Sequence, residues 1–528
     1  MHLVRILPIL AALVASPITT IGATSAPAPL RIAYRIAMPD PASHLYEIEI
    51  DVDGVRSATL PMQLPVWSTG RYARADFAKN LQDLRITTPD GRELTWDKTN
   101  GSRWIVNTAG AKSLRFKYRV FANQLSGTYS VLDTAHANWN GAGLFMYVED
   151  HKQDPVTLKI TPPAGWHVIN GDTRRANQLD YSFENYDRLI DTPTEVAPAF
   201  MVDSFVVDGR KYRTMVHYNG TPPAGARDRF VKDVEKIVRY ENSVFSPPPL
   251  DQYTFLFNIG YAGGDGMEHL YSTEIISRQP WVDTARVLSA IGTAAHEYFH
   301  VWNVKRVRPM ALGPFDYTKE TYQPSLWVAE GWTQYFGQAT LHRSGITDKD
   351  EFYGSMARVI RANLTAPGRK EVSARMASFN APFWDGAPQG QPTNGSNTFF
   401  SYYTKGAGLA LYLDLYVRGK TNNAKALDDV FAALKKRSWN APNASYYLQG
   451  RGYTELDVEH AASEVAGENL HAWFETYVGG KEDLDYDTQL ARMGLRLVRG
   501  EQWTIEEMPD ATPEQRHVRD GWVSGSRG

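Results

Sequence analysis

Five residues, His296-Glu297-Tyr298-Phe299-His300, carry the densest chemistry in the sequence. On a helix, positions four apart lie one turn above each other, so both imidazoles can reach one ion. Glu297 projects at a neighbouring angle, where it can contact a metal-bound water rather than the metal. With 13 histidines among 528 residues, chance produces an H-E-x-x-H match in roughly one chain in fifty or sixty, so the identification rests on context. The segment reads helical, apolar residues surround it, and small Ala294 and Ala295 let another element approach closely.

Zinc in a hydrolase takes three protein ligands and leaves a fourth position for water. The next helix, "LWVAEGWTQYFGQATLHRSG", carries Glu330 inside an otherwise apolar or neutral stretch. A carboxylate there needs a partner; a metal would supply one, and an ion pair with Arg306 or Arg308 is the competing reading. His342, three turns further on, reads as an ordinary surface histidine. His296, His300 and Glu330 thus compose a two-His-one-carboxylate site for one zinc ion. Glu297 is the general base that takes the proton of the attacking water and returns it to the leaving amine. A second donor should help hold the oxyanion. "FFSYYTKGAGLALYLDLY" offers Tyr402 and Tyr403, although a tyrosine there, taken alone, is more often a core residue.

Upstream, "GGDGMEHLYST" (263–273) places Glu268 and His269 directly after three glycines. It reads as a metal loop, a phosphate cradle or a tight turn ending in a strand. Neither a P-loop Lys-Ser/Thr pair nor a Rossmann pattern follows, which argues against phosphate. His269 is a poorer metal ligand than the three downstream.

The elements that must position these residues fall into two halves. Residues 27–220 read as an all-β, sandwich-like domain. Tyr46, Ile48, Ile50 and Val52 alternate with Glu47, Glu49 and Asp51, and Leu114, Phe116, Tyr118 and Val120 alternate with Arg115, Lys117 and Arg119. Period-two patterning predicts sheets with one solvated face. Residues 221–482 change period: an amphipathic helix near 226–245, a strand from Tyr253, then helices predicted over 284–306, 325–344, 348–364, 402–418, 423–437 and 454–466. The Gly/Pro/Asn-rich stretch 367–400 reads as a lid or binding loop, or as disorder.

The first 26 residues have a short positive start, an apolar core from Ile6 to Ala15 and small residues near Ala23 and Ala26. That pattern predicts a secretory signal peptide of bacterial type, too short to span a membrane comfortably. An exported protein, periplasmic or secreted, is expected, with no stable membrane insertion after its removal. Zero cysteines fit export without proving it. A formal net charge of −3, with no long basic run, gives no reason to expect nucleic acid. Oligomeric state is not legible.

The order H-E-x-x-H, Glu-Gly-aromatic, Y-x-K-G resembles the gluzincin aminopeptidases. Within them, "HEYFHVWNVKRVRP", "LGPFDYT", "LWVAEGWTQYF", "SYYTKGAGLALYLDL" and the N-terminal "LPVWSTGRYARADFAKNLQDL", "YRVFANQLSG" and "WNGAGLFMYV" resemble the glycyl aminopeptidase family, metallopeptidase family sixty-one. The resemblance covers roughly residues 30–490. It implies a thermolysin-like zincin catalytic domain after the β domain, zinc on His296, His300 and Glu330, Glu297 as base and Tyr403 as transition-state donor. It further implies that the glycine loop (Gly264, Gly266, Met267) binds the substrate backbone, while Glu268 receives the free α-amino group. Two departures stand out. Residues 483–528 read as a short polar tail with no complete PDZ domain, where relatives carry one. Asp265 adds a charge to the glycine loop and has no role in this reading.

The resulting expectation is an exported zinc aminopeptidase removing small N-terminal residues, Gly or Ala, from peptides. A zinc endopeptidase with the same centre and an inactive binding module of the same fold are the alternatives.

Overall fold

The computed structural model describes residues 28–218, 220–281, 284–385, 394–439 and 450–527. The predicted signal peptide lies outside them.

The N-terminal half is β-rich because its alternation is used as read. Strands Leu45–Asp53 and Ser113–Phe121 pair antiparallel with Ile48 opposite Tyr118 and Ile50 opposite Phe116. These residues are essentially buried. The other face carries ion pairs such as Arg115 with Asp51 (2.7 Å) and Lys117 with Glu49 (2.7 Å). Opposite charges facing each other across strands keep that face soluble and in register. The pair belongs to a six-stranded sheet, and two four-stranded sheets complete the domain.

The domain boundary expected at 220 moves. Strands Met201–Val207 and Arg210–Tyr218 leave the N-terminal sheets and join Gln252–Ile259, Ser272–Ser277 and Gly264–Glu268 in a five-stranded sheet. The hydrophobic residues divide accordingly, one core gathering residues 30–196 and the other starting with Tyr72 and Val207. Helix Ala226–Phe245 connects the parallel strands Arg210–Tyr218 and Gln252–Ile259. The connector must cross over because parallel neighbours cannot be joined by a tight turn. All eight residues of Gln252–Ile259 are buried, since the strand is central and covered on both faces. Gly264–Glu268 is the edge strand, antiparallel to Ser272–Ser277.

The remaining catalytic half is helical. The H-E-x-x-H helix is Thr284–Phe299; its α pattern stops there rather than at 306, and His300 sits in the turn that follows. Glu330 lies in a π-helical turn, Trp327–Trp332, continuous with helix Thr333–Arg343. Gly331 of this turn packs on Gly406 of helix Tyr402–Lys420. A β-carbon on Gly331 would stand 2.3 Å from the Gly406 Cα. Helix Lys349–Thr365 is capped by Asp348 and Glu351 in a capping box. The stretch read as a lid contains short helices, among them Ala374–Phe379 and Ala381–Trp384, and Ser378 Oγ accepts from the Trp327 amide at 2.9 Å. Residues 386–393 lie outside the described residues.

Two further segments depart from the sequence reading. "LGPFDYT" crosses to the N-terminal domain, whose core includes Tyr317, and Trp67 Nε1 donates to the Asp316 carbonyl at 2.7 Å. Residues 486–524, read as a polar tail, form helix Tyr486–Ala491, the hairpin Leu495–Val498/Thr504–Glu507 and helix Pro513–Ser524. Trp522 is fully buried in the catalytic core, with Nε1 donating to Tyr335 Oη at 3.1 Å. No described helix is long and apolar enough to cross a membrane.

A Trp522→Ala variant is expected to lose about 3–5 kcal/mol through the cavity left. Denaturant unfolding should register it in the catalytic half. Behaviour like the parent would mean that this segment contributes no packing.

Candidate active site

The separate segments converge on one point. His296 Nε2 and His300 Nε2 lie 3.4 and 3.3 Å from Glu330 Oε2 and 3.1 Å from each other. The α-helical spacing of the two histidines and the π turn around Glu330 direct these atoms together; π turns inside helices recur at functional sites because they re-aim a side chain. His300 Nδ1 donates to the Asn303 carbonyl at 2.5 Å, leaving Nε2 for the cluster. Asn303 is itself held, its amide donating to Val328 O at 2.9 Å and Thr333 Oγ1 at 3.2 Å. The free oxygen of Glu330, Oε1, accepts from Tyr72 Oη at 2.6 Å.

This donor set fits a metal ion. Three carboxylates, Glu268, Glu297 and Glu330, surround the two imidazoles, and each is at most 5% exposed. Oxygens of Glu268 and Glu297 and a nitrogen of His300 form a second group within 4.8 Å of one another. So much buried negative charge is costly unless a cation offsets it. Burial opposes ionisation of Glu330, yet the imidazoles hold its carboxyl well below the usual range. Burial pushes His296 below an ordinary imidazole, toward the neutral form a metal requires. Glu297 is pushed well above the usual carboxylate range, by burial first and also by Glu268, with His300 opposing. A divalent cation beside it would counter that rise.

Glu297 lines a cleft of about 460 Å³ with His296, Tyr403 and the edge-strand residues Gly264 and Gly266. The edge strand approaches the base closely: a β-carbon at Gly266 would fall 2.0 Å from Glu297 Oε1. Ser401 caps helix Tyr402–Lys420 by accepting from the Tyr403 amide (3.2 Å), and the Tyr403 ring stacks beside His296, centroids 6.2 Å apart. Tyr402 faces the other way, buried, donating to Asp385. The two tyrosines that the sequence left equivalent are thereby told apart.

Glu268 is 3% exposed, and Oε1 has no hydrogen-bond partner. His269 turns away from the cluster, its Nδ1 3.2 Å from Asp191 of the N-terminal domain, which also accepts from Lys305 at 3.0 Å. Met267 is not a cleft residue; it is fully buried beneath Gly70 and Gly127. Its side chain serves domain packing, so only its backbone is left to meet a substrate.

The sequence reading missed the contribution of Gly70-Arg71-Tyr72. Gly70 has φ +87°, and a side chain there would collide with Met267 Sδ (2.2 Å) and Glu268 Oε2 (2.6 Å). Arg71 Nη2 pairs with Asp265 at 2.5 Å, and Tyr72 reaches Glu330. The motif "WSTGRY" lies some 190 residues before Asp265, so no local pattern signals these contacts.

A Tyr72→Phe variant, which removes one hydrogen bond to a metal ligand, is expected to weaken zinc affinity about 10–100-fold. Competition titration with a chromophoric chelator would measure it. An unchanged affinity would show that Tyr72 does not support Glu330.

Comparison with known proteins agrees with this geometry. Residues 33–198 match the Peptidase M61 N-terminal domain and residues 289–409 match the M61 glycyl aminopeptidase family, together more than half of the chain. The crystal structure of an aminopeptidase N family protein from Idiomarina loihiensis is similar with a TM-score of 0.80 at 25% identity, over 89% of this chain and 82% of that one. Yeast LTA4 hydrolase, in a complex with bestatin, shares the fold at a TM-score of 0.52 and 15% identity, over 88% of this chain and 70% of the hydrolase. No curated protein matches. The chain belongs to the M61 glycyl aminopeptidase family and is a metallopeptidase of aminopeptidase-like fold.

Proposed function

We propose that the protein is an exported aminopeptidase that uses one zinc ion to remove a small N-terminal residue, Gly or Ala, from peptides. The observation that carries this reading is Glu268, a buried carboxylate with an unpartnered oxygen beside Glu297 and His300. An ammonium group is the partner that would satisfy it. An acid beside Glu297 and His300 selects a free amino terminus over an internal bond. The cavity touching Glu268, between Gly70 and Phe315, measures about 20 Å³.

In this reading His296, His300 and Glu330 hold the ion, with Tyr72 and the Asn303 carbonyl orienting Glu330 and His300. Bound there, zinc supplies a Lewis acid that acidifies water and polarises a carbonyl. Glu297 accepts the proton of the attacking water and delivers it to the departing amine. Tyr403 donates to the oxygen that becomes negative in the transition state. The edge strand Gly264–Glu268 offers its free backbone edge to an extended peptide.

Glu297→Gln is expected to lower hydrolysis of glycyl and alanyl anilides by at least about a thousandfold while stoichiometric zinc is retained. Parent-like activity, or a purified protein without zinc, would remove the mechanism. Glu268→Ala is expected to cripple cleavage of free-amino substrates by about 100-fold or more; retained cleavage of N-blocked peptides by the parent would instead mark an endopeptidase. Export rests on residues 1–26, and intact mass of the protein recovered from its native host should lack them.

A further inference from the structure

Asp265, the acid left without a role by the sequence, is fixed by three donors. Arg71 Nη2 lies at 2.5 Å, the Gly127 amide at 3.1 Å and the Gly266 amide at 3.1 Å. Arg71 is held a second time, Nε donating to Thr128 Oγ1 at 2.9 Å. Two of its nitrogens are thereby committed, and Nη1 has no protein partner among the described residues. A quarter of the side chain stays exposed, and among the described residues Arg71 is the only Arg or Lys lining the cleft that contains Glu297 and Tyr403. A surface ion pair that merely joined two domains would have no need to stand in that cleft.

Along the edge strand Asp265 is three residues from Glu268, about 10 Å at strand rise. That is the span of roughly three extended residues. A peptide lying antiparallel on this strand, its amino group at Glu268, passes Glu297 beside Gly266 and ends near Arg71. We propose that Arg71, immobilised by Asp265, binds the C-terminal carboxylate of the substrate, so that the enzyme acts preferentially on peptides of two or three residues with a free C-terminus. The inference rests on the aminopeptidase reading and on Glu268 as the amino anchor. A guanidinium held on one edge presents its remaining N–H groups to a carboxylate in fixed geometry, and such pairs are stronger than neutral hydrogen bonds.

The test compares kcat/KM for Gly-Ala-Ala as free acid and as C-terminal amide, alongside glycyl anilide. The parent is expected to favour the acid by about tenfold or more. In Arg71→Gln the acid-to-amide ratio should fall to near one, chiefly through KM, and Arg71→Lys should restore part of it; thermal unfolding of each variant checks folding. Equal rates on acid and amide in the parent, which needs no variant, overturn the proposal while anilide hydrolysis leaves the aminopeptidase reading standing. An Arg71→Gln loss equal on all three substrates also overturns it, as that is the mark of a structural brace. Failure of the parent to hydrolyse glycyl anilide removes the aminopeptidase reading and this inference together.

Discussion

Three carboxylates buried around two imidazoles dominate the energetics of this protein. Glu268, Glu297 and Glu330 sit where water is nearly excluded, and removing an ionised group from water costs several kcal/mol even after relaxation. Two imidazoles and one tyrosine hydroxyl offset this charge only in part, and burial pushes Glu297 toward its neutral form. The arrangement makes sense only with a cation among them, and the helices, the π turn and the edge strand all serve to hold that charge together. Burial first, and the neighbouring carboxylates after it, push Glu297 above the usual carboxylate range.

Holding such a cluster requires contributions from both domains. Among the contacts of the N-terminal domain with the catalytic half is one turn, Gly70-Arg71-Tyr72, in which consecutive residues reach Glu268, Asp265 and Glu330. Asp191 fastens the segment after Glu268 to Lys305, just beyond the histidine turn. In return "LGPFDYT" inserts Tyr317 into the N-terminal core. Each domain completes the other, so the β domain is part of the catalytic apparatus rather than an appendage. The close packing of Gly331 on Gly406 has the same character: it sets how near the metal-ligand segment lies to the tyrosine helix.

Much of this was legible from local pattern. Period-two alternation revealed the N-terminal strands, and helical spacing paired His296 with His300, because both depend on neighbours within one element. Glu330 was found by its incongruity, an acid in an apolar stretch. What stayed illegible depended on partners far along the chain. Met201–Tyr218 reads as one more β-hairpin, and only its pairing with Gln252–Ile259 shows which domain owns it. The segment 486–524 reads as polar because its buried anchor, Trp522, is one residue among many charged ones. Met267 and Glu268 are adjacent in sequence and sit on opposite faces of a strand, so an apolar core contact and a buried acid come from one motif.

The sequence by itself pointed to the chemistry: a pair of histidines one turn apart, an acid placed to hold a metal with them and another placed to move a proton. Those assignments need only residue type and helical geometry, which are local. The tertiary structure decided which tyrosine faces the cleft, where the free carboxylate of Glu268 points, and that Asp265 pairs with an arginine from another domain. Such choices follow from through-space contacts between segments up to about 260 residues apart, and no periodicity in the chain records them.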